Sequence, residues 1–319
     1  MINRRRLLAG ASLAAMGTLA APSILRAQGG QTVKMGALRL VHSMPPHFYE
    51  KFAPPGLKIE IITFDSPTDC KNAVVTKSVD LGTFGIAAGI LGAAAGEPVV
   101  VVGAMSNRGM GVISKAGSDV KSIKDLKGKK VGIWPGSTQE VFILERMRME
   151  GLTLKDITSV RVPFGEMPAM LARGDIDAYV GAEPGPALSI TSGVGQLVEY
   201  PYATAMGGLN MIIGTNEETV AKNPDMIRTM LKTHRQAVEF MSANKPAVVE
   251  MTVQKLGANR AAVEQALGAD NVEYVWKLDD KVQGQAKTYA QHMLELKQIR
   301  ALPKFDTFLN PKFSNEIAS

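Results

Sequence analysis

Ser137, Thr138 and Gln139 stand together in the stretch Trp134-Pro135-Gly136-Ser137-Thr138-Gln139-Glu140, two hydroxyls and an amide behind a Pro-Gly turn. Groups of this kind do acceptor chemistry. Hydroxyls and backbone N–H groups at the start of a helix hold an anion or a strongly accepting oxygen, helped by the helix dipole. Lys130 to Trp134 has the β-branched and aromatic content of a buried strand, and Pro135-Gly136 ends it. Val141, Leu144 and Met147 then recur at helical spacing, and Ser137 with Glu140 forms a Ser-x-x-Glu capping-box pattern. An N-cap that binds nothing gives the same pattern.

The other groups able to do chemistry also follow apolar runs. His42 and Ser43, with His47 beyond them, flank a Pro-rich turn after the first run, and Asp65, Ser66 and Thr68 follow the second. Thr83 and Phe84 close the third; Phe164, Glu166 and Glu183 close later ones. His42 and Ser43 read as hydrogen-bonding cleft residues. A metal site with Asp65 or Asp69 is conceivable, but the spacing matches no helical zinc pattern, so neither metal nor cofactor is expected. Glu166 or Glu183 pointing inward would favour a ligand with N–H donors, because an unpaired buried carboxylate is costly. With both pointing out, the Ser/Thr junction would dominate and favour an anion. Arg108 would pair a carboxylate or sulfonate, or serve as an exposed hinge arginine. His234 and His292 read as helix-surface residues, and the Met-rich stretches as core filler.

Placing these groups takes an alternating framework. Strand-like runs at 33–38, 57–64, 80–85 and 99–105 alternate with helical patterns, and a second series follows at 111–115, 130–134, 159–164, 177–183 and 196–200. After 209–216 the pattern is fully helical. The reading is α/β with two similar, parallel-dominated sheets. Phe64-Asp65-Ser66-Pro67, a short helix, then Asp80 echoes Phe164 to Pro168, a short helix, then Asp177. Two domains of one topology facing each other would put Trp134–Glu140 on the wall of a cleft, at strand carboxyl ends.

Composition narrows the class. The chain has 319 residues and a formal charge of +6, but Arg4, Arg5, Arg6 and Arg26 lie in a leader-like start, and without them 32 basic residues face 30 acidic ones. No basic stripe suggests nucleic acid. Residues 1–27 read as an export signal, with Arg4-Arg5-x-Leu7-Leu8 of twin-arginine type, which implies an exported, soluble periplasmic protein. Cys70 is the sole cysteine, so an intrachain disulfide is impossible.

The sequence resembles the periplasmic solute-binding proteins of the nitrate, taurine and alkanesulfonate type, a group that includes binders of thiamine-pyrimidine precursors. The marks are Val79-Asp80-Leu81-Gly82, the run Asp119 to Gly132, Gly136-Ser137-Thr138, Leu171 to Ala178 and Glu183-Pro184. The resemblance implies a two-domain, type II-like binding protein with domain 1 at 28–106 plus 210–319, domain 2 inserted at 107–209, and a helical tail on the first. It implies crossovers near 105–111 and 203–210, and a solute delivered to an inner-membrane ABC permease and its ATPase by a monomeric receptor. It places the Gly-Ser-Thr junction at the ligand, often near an anionic head group. The family's Glu-Pro pair usually follows an aromatic residue, and here Ala182 precedes it; Trp134 and Phe84 would supply the aromatic wall.

Enzymes are the rival class. Gly-x-Ser-x-Gly, a dinucleotide fingerprint and a P-loop are all absent, and Ser118-x-x-Lys121 is only a fragment of a penicillin-binding pattern. A pyrimidine-building enzyme shares the fold, and by resemblance it carries a cysteine cluster that one Cys cannot supply. The expected function is therefore non-enzymatic binding of a small organic anion, sulfonate or carboxylate; the alternatives are binding of a pyrimidine-like or other nitrogenous heterocycle, or a pyrimidine-synthase-like enzyme of the same fold.

Overall fold

A computed structural model of the chain describes residues 31–268 and 271–318; the expected export signal lies outside the described residues. The first half begins with β1 (Gln31–Leu38), β2 (Leu57–Phe64), α1 (Pro67–Val75), β3 (Leu81–Gly85), α2 (Ile86–Ala94) and β4 (Val99–Arg108). The chain then enters the second half through β5 (Met110–Lys115), β6 (Lys130–Ile133), α3 (Thr138–Met149), β7 (Thr158–Arg161), α4 (Met167–Arg173), β8 (Ala178–Ala182), α5 (Gly185–Thr191) and β9 (Gly195–Glu199). It returns with β10 (Leu209–Asn216) and continues as α6 (Glu217–Lys222), α7 (Pro224–Ala243), α8 (Lys245–Leu256), α9 (Arg260–Leu267), β11 (Val272–Tyr274), α10 (Asp280–Glu295), α11 (Phe305–Phe308) and α12 (Lys312–Glu316).

The strands form two sheets, ordered β11-β4-β10-β3-β1-β2 and β7-β6-β8-β5-β9. Each sheet holds parallel pairs, β1 with β2 and β3, and β6 with β7 and β8. Antiparallel pairs accompany them, β10 with β3 and β4, β11 with β4, and β5 with β8 and β9. Both sheets are therefore mixed rather than parallel-dominated. The strands that carry the chain between halves are continuous through a tight corner or return from one, so they cannot all run with their neighbours.

The internal echo is structural. The orders β2-β1-β3 and β7-β6-β8 correspond, and one aspartate does the same work in each. Asp80 accepts Lys34 N–H on its carboxylate at 2.8 Å and returns its own N–H to Lys34 O. Asp177 does the same with Lys130, again at 2.8 Å on the carboxylate. Each aspartate pins the central strand to the neighbour it starts beside, which fixes register at the strand amino ends.

β11 was not legible as a strand, being three residues inside a helical stretch; its Val-Glu-Tyr content is the signal that was there. α7 buries Met226, Ile227, Met230, Leu231, His234, Ala237, Val238 and Met241, the stripe of an amphipathic helix on a core. His234 is thus no surface residue. Its Nδ1 meets Tyr49 Oη at 2.9 Å, and its Nε2 meets the carbonyls of Ala104 at 3.0 Å and Val275 at 3.1 Å. Burial lowers its pKa to about 4, so the neutral ring is the stable form.

The halves share a core. Phe142 of α3 and Tyr289 of α10 meet edge to face, centroids 5.4 Å apart, and Tyr202 packs on the other side of Phe142 at 5.8 Å. Full burial of a side chain of Phe size is worth about 1.5–3 kcal/mol, so this contact is a substantial part of what holds the halves together. Among the described residues no helix is long and apolar enough to cross a membrane.

Candidate functional site: the seam between the two sheets

The turn from Trp134 to Glu140 leaves β6 at the carboxyl end of the second sheet and opens α3. Ser137 is the N-cap: its Oγ accepts Glu140 N–H at 3.1 Å and donates to Trp134 O at 2.6 Å. The reciprocal half of the expected capping box is displaced by one residue, because Glu140 Oε2 accepts Gly136 N–H at 2.8 Å. Ser137, Thr138 and Gln139 are all buried. Thr138 and Gln139 open the helix, so their N–H groups have no intrahelical acceptor.

Across the seam, Thr138 reaches the first half. Its Oγ1 donates to Asn210 O at 3.4 Å and stands so close to Gly85 that a Cβ there would overlap it. Gly85 is the N-cap of α2 and gives that helix no side-chain cap. The N-termini of α2 and α3, one from each half, therefore converge, and both dipoles present their positive ends to the seam. Beside them the Ser43 and Thr83 hydroxyls bond each other at 2.7 Å, fully buried.

The corner between β4 and β5 is the floor of this seam. Arg108 and Gly109 take φ of 62° and 73°, consecutive left-handed residues that fold the chain from one sheet to the other. The Arg108 carbonyl accepts His42 Nε2–H at 3.0 Å and Asn210 Nδ2–H at 2.6 Å. His42 stands where a Gly109 Cβ would be, so glycine is required there both for φ and for space. Burial lowers the His42 pKa to about 4, which makes the ring neutral, and its Nδ1 lone pair has no partner among the described residues.

Glu183 is buried in the same seam. Its Oε2 accepts Ala187 N–H at 3.0 Å within the second half, and its Oε1 accepts Asn271 Nδ2–H at 2.8 Å from the first. Its backbone continues the tie, donating to Gly109 O at 2.9 Å and accepting Val41 N–H at 3.2 Å. Burial raises its pKa to about 7, the two donors working against that rise.

The structure thus brings together His42, Ser43, Thr83, Ser137, Thr138, Gln139 and Glu183, with Gly136 and Trp134 at the edge. Other expected site residues lie elsewhere. Phe84 packs in the core against Gly89 and Gly214, so it forms no cleft wall. Asp65 is solvent-exposed and pairs with Arg39 at 3.3 Å; Ser66 caps α1 by accepting Asp69 N–H at 3.3 Å. Phe164 is buried in the apolar core and Glu166 is exposed. The Arg108 side chain lines a groove of about 490 Å³ with Met241, Lys245, Val248, Leu267 and Tyr274, at the β11 edge. Trp134 is half-buried, with the Arg161 guanidinium 4.9 Å from its ring centroid.

Asn210, Asn271, Arg161 and Tyr202 were not singled out from sequence. Tyr202 Oη accepts Met110 N–H at 2.6 Å and donates to Met110 O at 3.0 Å, so the second crossover clamps the first. Asn210 falls within the expected crossover at 203–210 and Tyr202 directly before it, which was the available signal; Asn271 carried none. His292 also departs from a surface reading, since its Nδ1 lies 3.3 Å from Glu145 Oε2 across the seam. Among the described residues no group of three His, Cys, Asp or Glu side chains is arranged to hold a metal ion.

A model of the NMT1/THI5 like family matches residues 51–247. Among curated relatives, a 4-amino-5-hydroxymethyl-2-methylpyrimidine phosphate synthase of Aspergillus parasiticus is 24% identical over 213 residues, 62% of each chain. A putative aliphatic sulfonates-binding protein of Escherichia coli is 28% identical over 151 residues, 47% of each chain. The chain thus spans under two thirds of either relative. Among solved structures, the alkanesulfonate-binding protein of Xanthomonas axonopodis pv. citri bound to MOPS superposes with a TM-score of 0.74 at 22% identity, covering 86% of this chain and 95% of that one. The fold is that of periplasmic solute-binding proteins.

Proposed function

The chain belongs to the NMT1/THI5 like family, and from that premise we propose that it is a solute receptor that closes on a small organic anion, a sulfonate or carboxylate, for an ABC importer. The observation that carries this reading is the convergence of the α2 and α3 N-termini at Gly85 and Thr138. An anion between two helix starts accepts N–H groups from both halves, so its binding energy goes into holding them together. Ser137, Thr138 and Gln139 supply the second-half donors, His42 and Ser43 line the first-half side, and the permease reads the closed form.

The two glutamates weigh against a ligand chosen for its N–H groups. Both Glu183 oxygens already accept protein donors, and Glu166 is exposed. Catalysis has little support. Cys70, the sole cysteine, is fully buried, and burial pushes its thiol far above the usual range, which removes it as a nucleophile. Export to the periplasm through the 1–27 segment fits this reading.

Native mass spectrometry of the freshly purified protein, followed by thermal shift with ethanesulfonate, MOPS, benzoate and a 4-aminopyrimidine, tests it. A co-purified anion, or an anion-specific rise in Tm, supports the reading. A ligand present at 100 times its Kd stabilises by about 2.7 kcal/mol. A response to the pyrimidine alone would replace it with the heterocycle reading.

A further inference from the structure

Gln298 follows α10, in the tail that packs on the first half, and its backbone is fixed by donating to Met293 O at 2.8 Å. Its side chain crosses the seam. Nε2 donates to Glu140 Oε2 at 3.0 Å, and that same oxygen accepts Gly136 N–H at 2.8 Å. One carboxylate oxygen therefore joins a residue of the first half to the turn that presents Ser137, Thr138 and Gln139. The joint is supported on its own helix: Tyr289 of α10 meets Phe142, and His292 of α10 meets Glu145, both on α3.

We propose that Gln298 is a positioning residue for solute binding, acting through Glu140 to hold the Gly136–Gln139 turn in its binding shape whenever the halves are together. The inference rests on the receptor reading for its consequence, though the relay itself does not depend on which solute binds. Glu140 sits where Ser137 N–H would claim it in an ordinary capping box, and instead it takes Gly136 N–H. Opening the halves separates Gln298 from Glu140, leaving a largely buried carboxylate with one donor fewer. Closure and turn geometry are thereby coupled, because each supplies part of what the other needs.

The test uses the full mature chain and the variants Gln298→Met, Glu140→Met and their combination. Hydrogen exchange at the Gly136 amide is followed without added solute, and ethanesulfonate affinity is measured by titration calorimetry. Gln298→Met is expected to speed Gly136 exchange about 5-fold or more, and to weaken ethanesulfonate about 10-fold or more, the scale of losing a hydrogen bond to a charged group. The double variant should be no worse than the weaker single one, since both remove the same link. Unchanged Gly136 exchange in Gln298→Met, or losses that simply add, would overturn the relay. Should the parent protein fail to bind ethanesulfonate, the sulfonate reading falls, and Gly136 exchange with its additivity still decides the role of Gln298.

Discussion

Asn271 donates its Nδ2–H to Glu183 Oε1 at 2.8 Å, joining the segment before β11 in the first half to the segment after β8 in the second. The carboxylate is 2% exposed and its pKa is raised to about 7 by burial. A carboxyl group raised in the folded state favours folding most fully below its unfolded pKa, and the advantage is lost as pH rises to the folded value. The window is therefore from about 4.5 to about 7. Glu183→Gln, which imitates the protonated form, should gain Tm relative to the parent as pH goes from 5 to 8. The span is on the order of 3 kcal/mol. A Tm difference independent of pH would show that Glu183 does not titrate in this range.

The buried histidines act in the opposite sense. His42 and His234 both have pKa values lowered to about 4 from 6.5. The unfolded chain takes up protons first, so the stability that rests on the neutral rings is present above pH 6.5 and is lost as pH falls towards 4. Each site contributes up to about 3 kcal/mol. Thermal unfolding at pH 7.5, 5.5 and 4.5 should show a steep acid loss that His234→Asn reduces; equal slopes in parent and variant would contradict the assignment.

Gly85 sets how close the halves come. A Cβ at this position would overlap Thr138 Oγ1, so Gly85→Ala is expected to hold the halves apart and raise the radius of gyration in small-angle scattering. Adding Thr138→Ala removes the obstacle and should restore the compact form. If Gly85→Ala scatters like the parent, the two helix starts do not meet in solution.

Removing the cap separates stability from binding. Ser137→Ala loses the bonds to Glu140 N–H and Trp134 O, a change worth about 1 kcal/mol, or roughly 1–2 °C in Tm for a chain of this size. The Ser137→Ala, Thr138→Ala pair should in addition weaken anion binding at least about 10-fold. Normal folding with unchanged affinity would remove the turn from the site.

How much of this was legible varies residue by residue. Ser137 could be placed at a helix start because Pro-Gly, a cap and a periodic apolar run act within a few residues of one another. Its Glu140 partner could be guessed but not its target, since Glu140 is also claimed by Gln298, 158 positions away. Phe84 was misjudged because an apolar residue at a strand end reads alike whether its ring faces a cleft or the core. His234 was misjudged because a helical stripe locates a side chain on a face without saying what covers that face.

The sequence alone determined what local chemistry decides: the alternation of strands and helices, the β-α-β echo whose last strands begin at Asp80 and Asp177, and the family. Tertiary structure decided the rest. Mixed pairing follows from where β5 and β10 run after the crossovers, and the seam follows from two helix starts, a left-handed corner at Arg108-Gly109, and asparagines at 210 and 271 meeting from distant parts of the chain. Local pattern fixes an element because its interactions span one turn or one strand. A site made between two sheets depends on how they pack, and no short-range pattern encodes that.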